Sequence, residues 1–129
     1  MPRGHVIAGV IIMALAACAP RFDQNEFLLV ASVKQQSLNG FKACDTDPYS
    51  AIDQYGSKTF EATQLYAIYS EYLLDNRLSY QMSNQLYAMA NELTAKKGKV
   101  VSKFYCREKF NNLTIAADRI LEALAKKDR

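Results

Sequence analysis

From Lys99 to Lys126 one stripe of apolar side chains runs through Cys106, Phe110, Leu113, Ala117, Ile120 or Leu121, and Leu124. Steps of three and four residues bring side chains onto one face only in a helix. A chain with such a segment near its end needs matching apolar faces elsewhere, and the preceding residues supply them. Asp23, with Glu26 three residues on as in a capping box, predicts a helix start. That helix carries Phe27, Val30, Ala31 and Leu38 and ends near Asn39-Gly40 or soon after. Asp47-Pro48 predicts a second start, the aspartate as N-cap and the proline in the first turn, with Gly56-Ser57 breaking the segment and recapping the next. A helix from about Thr59 to Leu74 places Leu65, Tyr66, Tyr69, Tyr72 and Leu73 on one broad face, and Asp75-Asn76 forms the following turn. A helix from about Leu78 to Lys97 carries the stripe Leu78, Met82, Leu86, Met89 and Leu93. Lys96 and Lys97 suit the negative end of its dipole, and Gly98 suits a left-handed cap. With no alternating β-branched runs and no hairpin dipeptides, the expected fold is all-α. It is a single small four-helix bundle over residues 23–129, with short connections.

The first residues are of another kind. Arg3 precedes an almost uninterrupted apolar run from Val6 to Leu15, and small residues then lead to Leu15-Ala16-Ala17-Cys18. The run is too short to span a bilayer, which takes ~20 apolar residues, and has the make-up of an export signal. The Leu-Ala-Ala-Cys sequence resembles the lipobox of bacterial lipoproteins. That resemblance implies cleavage after Ala17, acylation of Cys18, and residues 18–22 as a tether. An ordinary signal peptide cut within the Ala-Leu-Ala-Ala run is the alternative, with the same destination and no lipid. In bacterial lipoproteins an aspartate directly after the cysteine tends to hold the protein in the inner membrane. Ala19 stands there instead, which implies the periplasmic face of the outer membrane in a Gram-negative host.

Export constrains the fold as well. Removal of residues 1–17 leaves Cys44 and Cys106 beside Cys18, and an oxidising compartment makes a Cys44–Cys106 disulfide the expectation. Cys106 lies on the buried stripe of the last helix, so the bridge staples the bundle through its core. It closes a loop of about 60 residues and contributes roughly 4 kcal/mol in the chain-entropy model.

Little catalytic chemistry is left to such a chain. The single histidine, His5, leaves with the signal, and no Gly-rich phosphate loop or Ser-x-x-Lys pattern is present. Asp45, Asp47 and Asp53 cluster around Pro48 without the spacing or terminal glutamate of a calcium loop, and read as caps and turn residues. Asn112-Leu113-Thr114 matches a glycosylation sequon by chance within a helix. With fifteen basic against thirteen acidic side chains after cleavage, the charge is too balanced for a nucleic-acid partner. The expectation is a protein with no catalysis, no metal, no cofactor and no small-molecule substrate, held at a membrane by its lipid.

Tyrosine is the unusual component. Seven of the eight lie between Tyr49 and Tyr87, and there is no tryptophan. Tyr80 and Tyr87 share one face of the third helix, about 200° from the Met82/Met89 stripe. One helix thus has two adhesive faces, and a small bundle buries only one of them thoroughly. Amphipathic aromatics and adaptable methionines line peptide-binding grooves; tyrosines packed at a bundle rim with hydroxyls in water are the other reading.

Together these features resemble the OutS/PulS-type pilotins of type II secretion systems: small lipoproteins with four helices and one disulfide joining the region after the first helix to the last. The comparable stretches are Leu38-Asn39-Gly40-Phe41-Lys42-Ala43-Cys44 and Tyr105-Cys106-Arg107-Glu108-Lys109-Phe110-Asn111. The resemblance implies that the domain binds the disordered C-terminal segment of a secretin subunit as a helix, and that the acyl chains carry it to the outer membrane. The faces described above nominate Tyr66, Tyr69, Leu73, Tyr80, Leu86 and Tyr87 as groove residues. A phage- or plasmid-encoded exclusion lipoprotein and a structural envelope lipoprotein are the alternatives.

Overall fold

Asp23 begins the first helix with a double fastening. Its carboxylate accepts the backbone N–H of Glu26 at 2.9 Å, and Phe22 before it packs on Phe27 with ring centroids 5.6 Å apart. This polar cap with a hydrophobic staple fixes the direction in which α1 (Gln24–Ala43) leaves. The computed structural model describes residues 21–73 and 77–127; the expected leader, Cys18, most of the expected tether and the turn expected at Asp75-Asn76 lie outside them.

The reciprocal half of the capping box is not made. Glu26 turns inward, is fully buried, and accepts a hydrogen bond from Tyr66 Oη at 2.7 Å. The helix ends at Ala43, soon after Asn39-Gly40 as expected, and Gly40 is a contact point with the last helix: a Cβ there would collide with the ring of Phe110.

After a turn at residues 44–46, Asp47 accepts from Tyr49 N at 3.1 Å and starts α2 (Pro48–Ala51) as expected. The expected break at Gly56-Ser57 does not occur. The rod continues through one π-helical stretch, Ile52–Gly56, into α3 (Ser57–Ser70). Gly56 has helical φ and ψ, and Ser57 Oγ donates back to the Asp53 carbonyl at 2.9 Å, so its hydroxyl serves the helix interior instead of capping a new one. α4 (Arg77–Thr94) ends before Lys96 and Lys97, which lie in the following turn, and Gly98 takes the left-handed conformation at φ 79°. Ser102 caps α5 (Lys103–Ala125) by accepting from Tyr105 N at 3.0 Å.

Counting the α2–π–α3 rod as one, four antiparallel helices form an all-α bundle. Tyr69 Oη on α3 meets Asp23 at the start of α1, and Lys127 after α5 comes within 3.7 Å of Glu26, so three rods meet at one end. At the other end Cys44 is joined to Cys106 by a disulfide. α1 is packed along both α3 and α5, and α4 lies along α3 with only a thin seam to α5. The core is built from Val30, Val33, Ile52, Tyr66, Leu86, Leu93 and the complete α5 stripe from Cys106 to Leu124.

Two predicted faces are rotated. α3 buries Thr59, Ala62, Thr63, Tyr66 and Ser70, leaving Leu65 and Tyr72 exposed. α4 buries Ser79, Ser83, Leu86, Ala90 and Leu93, leaving Leu78 exposed and Met82 and Met89 half-buried. The reason is the α3–α4 seam. Small residues let two helix backbones approach closely, and Ser70 Oγ and Ser83 Oγ stand 3.2 Å apart across it.

Candidate functional site

The close α3–α4 seam has a consequence on the opposite flank of α4. Drawn toward α3, α4 leaves an open trough between itself and α5, with a volume of about 510 Å³. Met82 and Met89 of α4 form one wall, and Ile115, Ala116 and Ile120 of α5 form the other. Gln85, Asn112 and Arg119 line it with the polar groups, and no carboxylate contributes. Ile115 is 42% exposed, a large apolar side chain left facing solvent beside two half-buried methionines. Across the described residues, Arg119 has no ion-pair partner, whereas its neighbour Asp118 is paired with Lys34 of α1. Between α4 and α5, Lys109 donates to Glu92 at 2.8 Å; that bond raises the ammonium pKa above its ordinary value and lowers the carboxyl pKa below its own.

Chemically, the trough combines an apolar floor with a polar, cationic rim. Methionine side chains are flexible and polarisable, so such a wall adapts to more than one shape of anchor. An enclosed small-molecule site calls for walls on most sides, and this trough is open along its length.

The residues nominated from sequence do not make this trough, and they do not gather into another. Tyr66 and Leu86 are fully buried core residues, so their assignment to a groove is corrected. Tyr66 Oη is committed to Glu26, and burial raises its pKa well above the ordinary phenol range, with Glu26 adding to the effect. Tyr69 is half-buried and donates to the Asp23 carboxylate at 3.0 Å; burial raises its pKa too. Leu73 lies half-buried just past the end of α3. Tyr87 packs against Phe60 of α3 with ring centroids 5.1 Å apart, and Tyr80, on the same face, is 48% exposed. Of the two apolar faces expected on α4, neither is buried along its whole length. The tyrosine face is partly taken up by α3, and the methionine face is the one left open.

The residues that sequence reasoning missed are those of α5. Ile115 lies off the buried stripe, two positions after Leu113, and an unpaired β-branched apolar residue there was the available signal. Among the described residues no group of His, Cys, Asp and Glu side chains is placed to hold a metal ion, and no helix is long and apolar enough to cross a membrane. No protein-family model matches this chain, and no curated protein or solved structure matches it either.

Proposed function

We propose that this chain is a lipid-anchored envelope adaptor that performs no catalysis and seats one amphipathic helix of a partner protein in the α4–α5 trough. The observation that carries the reading is the half-buried Met82/Met89 wall facing exposed Ile115 across an open, carboxylate-free trough. The lipobox-like sequence at Cys18 supports acylation and a station at the periplasmic face of the outer membrane. The pilotin resemblance supports a particular occupant, the C-terminal segment of a secretin subunit, disordered when free and helical when seated. Anchors at i, i+3 or i+4, and i+7 would have to offset an ordering cost of roughly 2–5 kcal/mol, and three large apolar side chains toward the upper end of about 1.5–3 kcal/mol each would exceed it. A carboxylate beside the anchors would meet Arg119.

The test uses the full chain and a peptide with the sequence of a secretin C-terminal segment. Met89→Lys and Ile115→Glu, at half-buried and exposed positions, are expected to keep the helical circular dichroism and to weaken capture at least ~10-fold, the equivalent of about 1.4 kcal/mol. Cys18→Ser is expected to keep capture and lose membrane fractionation and acyl labelling. Undiminished capture by both trough variants would exclude the trough as the seat, and a Cys18→Ser chain still carrying acyl label would exclude the lipid anchor.

A further inference from the structure

At the end of the bundle remote from Asp23, the turn between α4 and α5 presents a surface both basic and apolar. Lys96, Lys97, Lys99 and Lys103 fall within eight residues, and no Asp or Glu occurs from Ala95 to Phe104. In their midst Val100 is 94% exposed and Phe104, in the first turn of α5, is 76% exposed. The neighbouring Val101 does reach the core, so the turn is anchored from beneath while its two bare apolar side chains point outward. The nearby cations divide into two groups. Lys97 is 3.8 Å from Asp53, Arg107 pairs with Asp45 at 3.0 Å while stacking on Phe41, and Lys96 lies over the ring of Tyr105. Among the described residues, Lys99 and Lys103, which flank Val100 and Phe104, have no carboxylate or ring partner.

Burial does not explain this arrangement, since exposed valine and phenylalanine gain nothing from water. Nor is it a receptor for a peptide side chain. Val100 has no wall on any side, and the adjoining hollow at Phe41 and Phe104 includes Glu108, which mixes its charge. A protruding apolar tip ringed by ammonium groups needs a partner that supplies its own envelope: an acyl layer for the apolar side chains beneath a sheet of anionic headgroups for the lysines. We propose that the α4–α5 turn docks on an anionic phospholipid surface, with Val100 and Phe104 entering the interface and Lys96, Lys97, Lys99 and Lys103 over the headgroup phosphates. This site is separate from the α4–α5 trough. α1 spans about 30 Å from the Asp23 end to the Cys44 end, so a second lipid contact here, together with a lipid at the N-terminus, lays the bundle along the membrane.

The absence of tryptophan from the chain makes the test direct. Phe104→Trp in the full chain puts one indole at the tip, where its emission is read with phosphatidylcholine vesicles containing or lacking phosphatidylglycerol. The expected result is a blue shift and roughly twofold protection from acrylamide only with phosphatidylglycerol, lost in Lys99→Glu/Lys103→Glu and lost near 1 M salt, where the Debye length is about 3 Å. Tyr72→Trp, at the opposite end and 81% exposed, is expected to show no dependence on phosphatidylglycerol. Emission unchanged by anionic vesicles, an equal shift in the charge-reversed variant, or an equal shift at Tyr72→Trp would overturn the proposal. So would a shift produced by poly-glutamate and not by vesicles, which would assign the tip to an acidic protein.

Discussion

Tyr66 shows how one residue can be read correctly for its chemistry and wrongly for its place. Its aromatic bulk and polar end marked it for an interface, but the polar end is satisfied inside, by a carboxylate that the sequence assigned to a helix cap. Asp23 completes that cap alone, and its carboxylate also receives Tyr69. A buried carboxylate that loses its donor bears its own desolvation, so Tyr66→Phe is expected to destabilise by about 1–3 kcal/mol in urea unfolding. The raised phenol pKa sets the sign of a pH effect. The folded state holds the proton that the unfolded chain releases near pH 10, so this contribution is complete below about pH 10 and is lost as pH rises beyond it. Unfolding midpoints measured through the alkaline range are expected to fall less steeply in Tyr66→Phe than in the parent.

At the scale of helices, legibility followed side-chain size. The buried stripe of α5 was readable, because its positions from Cys106 to Leu124 are apolar, mostly large and wholly buried, although the helix begins at Lys103 and not at Lys99. On α4 the pattern named Leu86 and Leu93 correctly, but chose Leu78, Met82 and Met89 where the structure buries Ser79, Ser83 and Ala90. Periodicity ranks residues by hydrophobicity, whereas a close helix crossing selects for smallness, and the two rankings disagree at this seam. The trough was hidden for the same reason, since it is the space left when α4 is drawn aside toward α3. Caps were legible where they are local, at Asp23, Asp47 and Gly98, and illegible at Gly56-Ser57, where a π-helical stretch carries the chain through. Enlarging the seam separates the two rankings. Ala90→Leu adds apolar surface at a fully buried position and is expected to destabilise by about 1–3 kcal/mol through overpacking. Met82→Leu, at the half-buried trough wall, is expected to change thermal stability little.

For the whole molecule, the decisive feature is that α1 and α5 are fastened at both ends. Cys44–Cys106 joins them at one end, and Glu26 with Lys127 at the other, with Lys34–Asp118 between. The disulfide spans 62 positions and constrains the unfolded chain by roughly 4 kcal/mol. Reduction, or Cys44→Ala with Cys106→Ala, is expected to lower the midpoint of urea unfolding by that order, without loss of helical content under native conditions. The same bond has a mechanical meaning. If the domain is held by its N-terminus and pulled from its C-terminus, every residue between 44 and 106 is shielded from extension by a covalent short circuit. Only α1 and the remainder of α5 can lengthen, and because both free ends lie at the Asp23 end, the two helices peel apart from there toward the disulfide. In a force-extension trace the oxidised chain should rupture in one short step, and the reduced chain should release the hidden loop as a second, longer one.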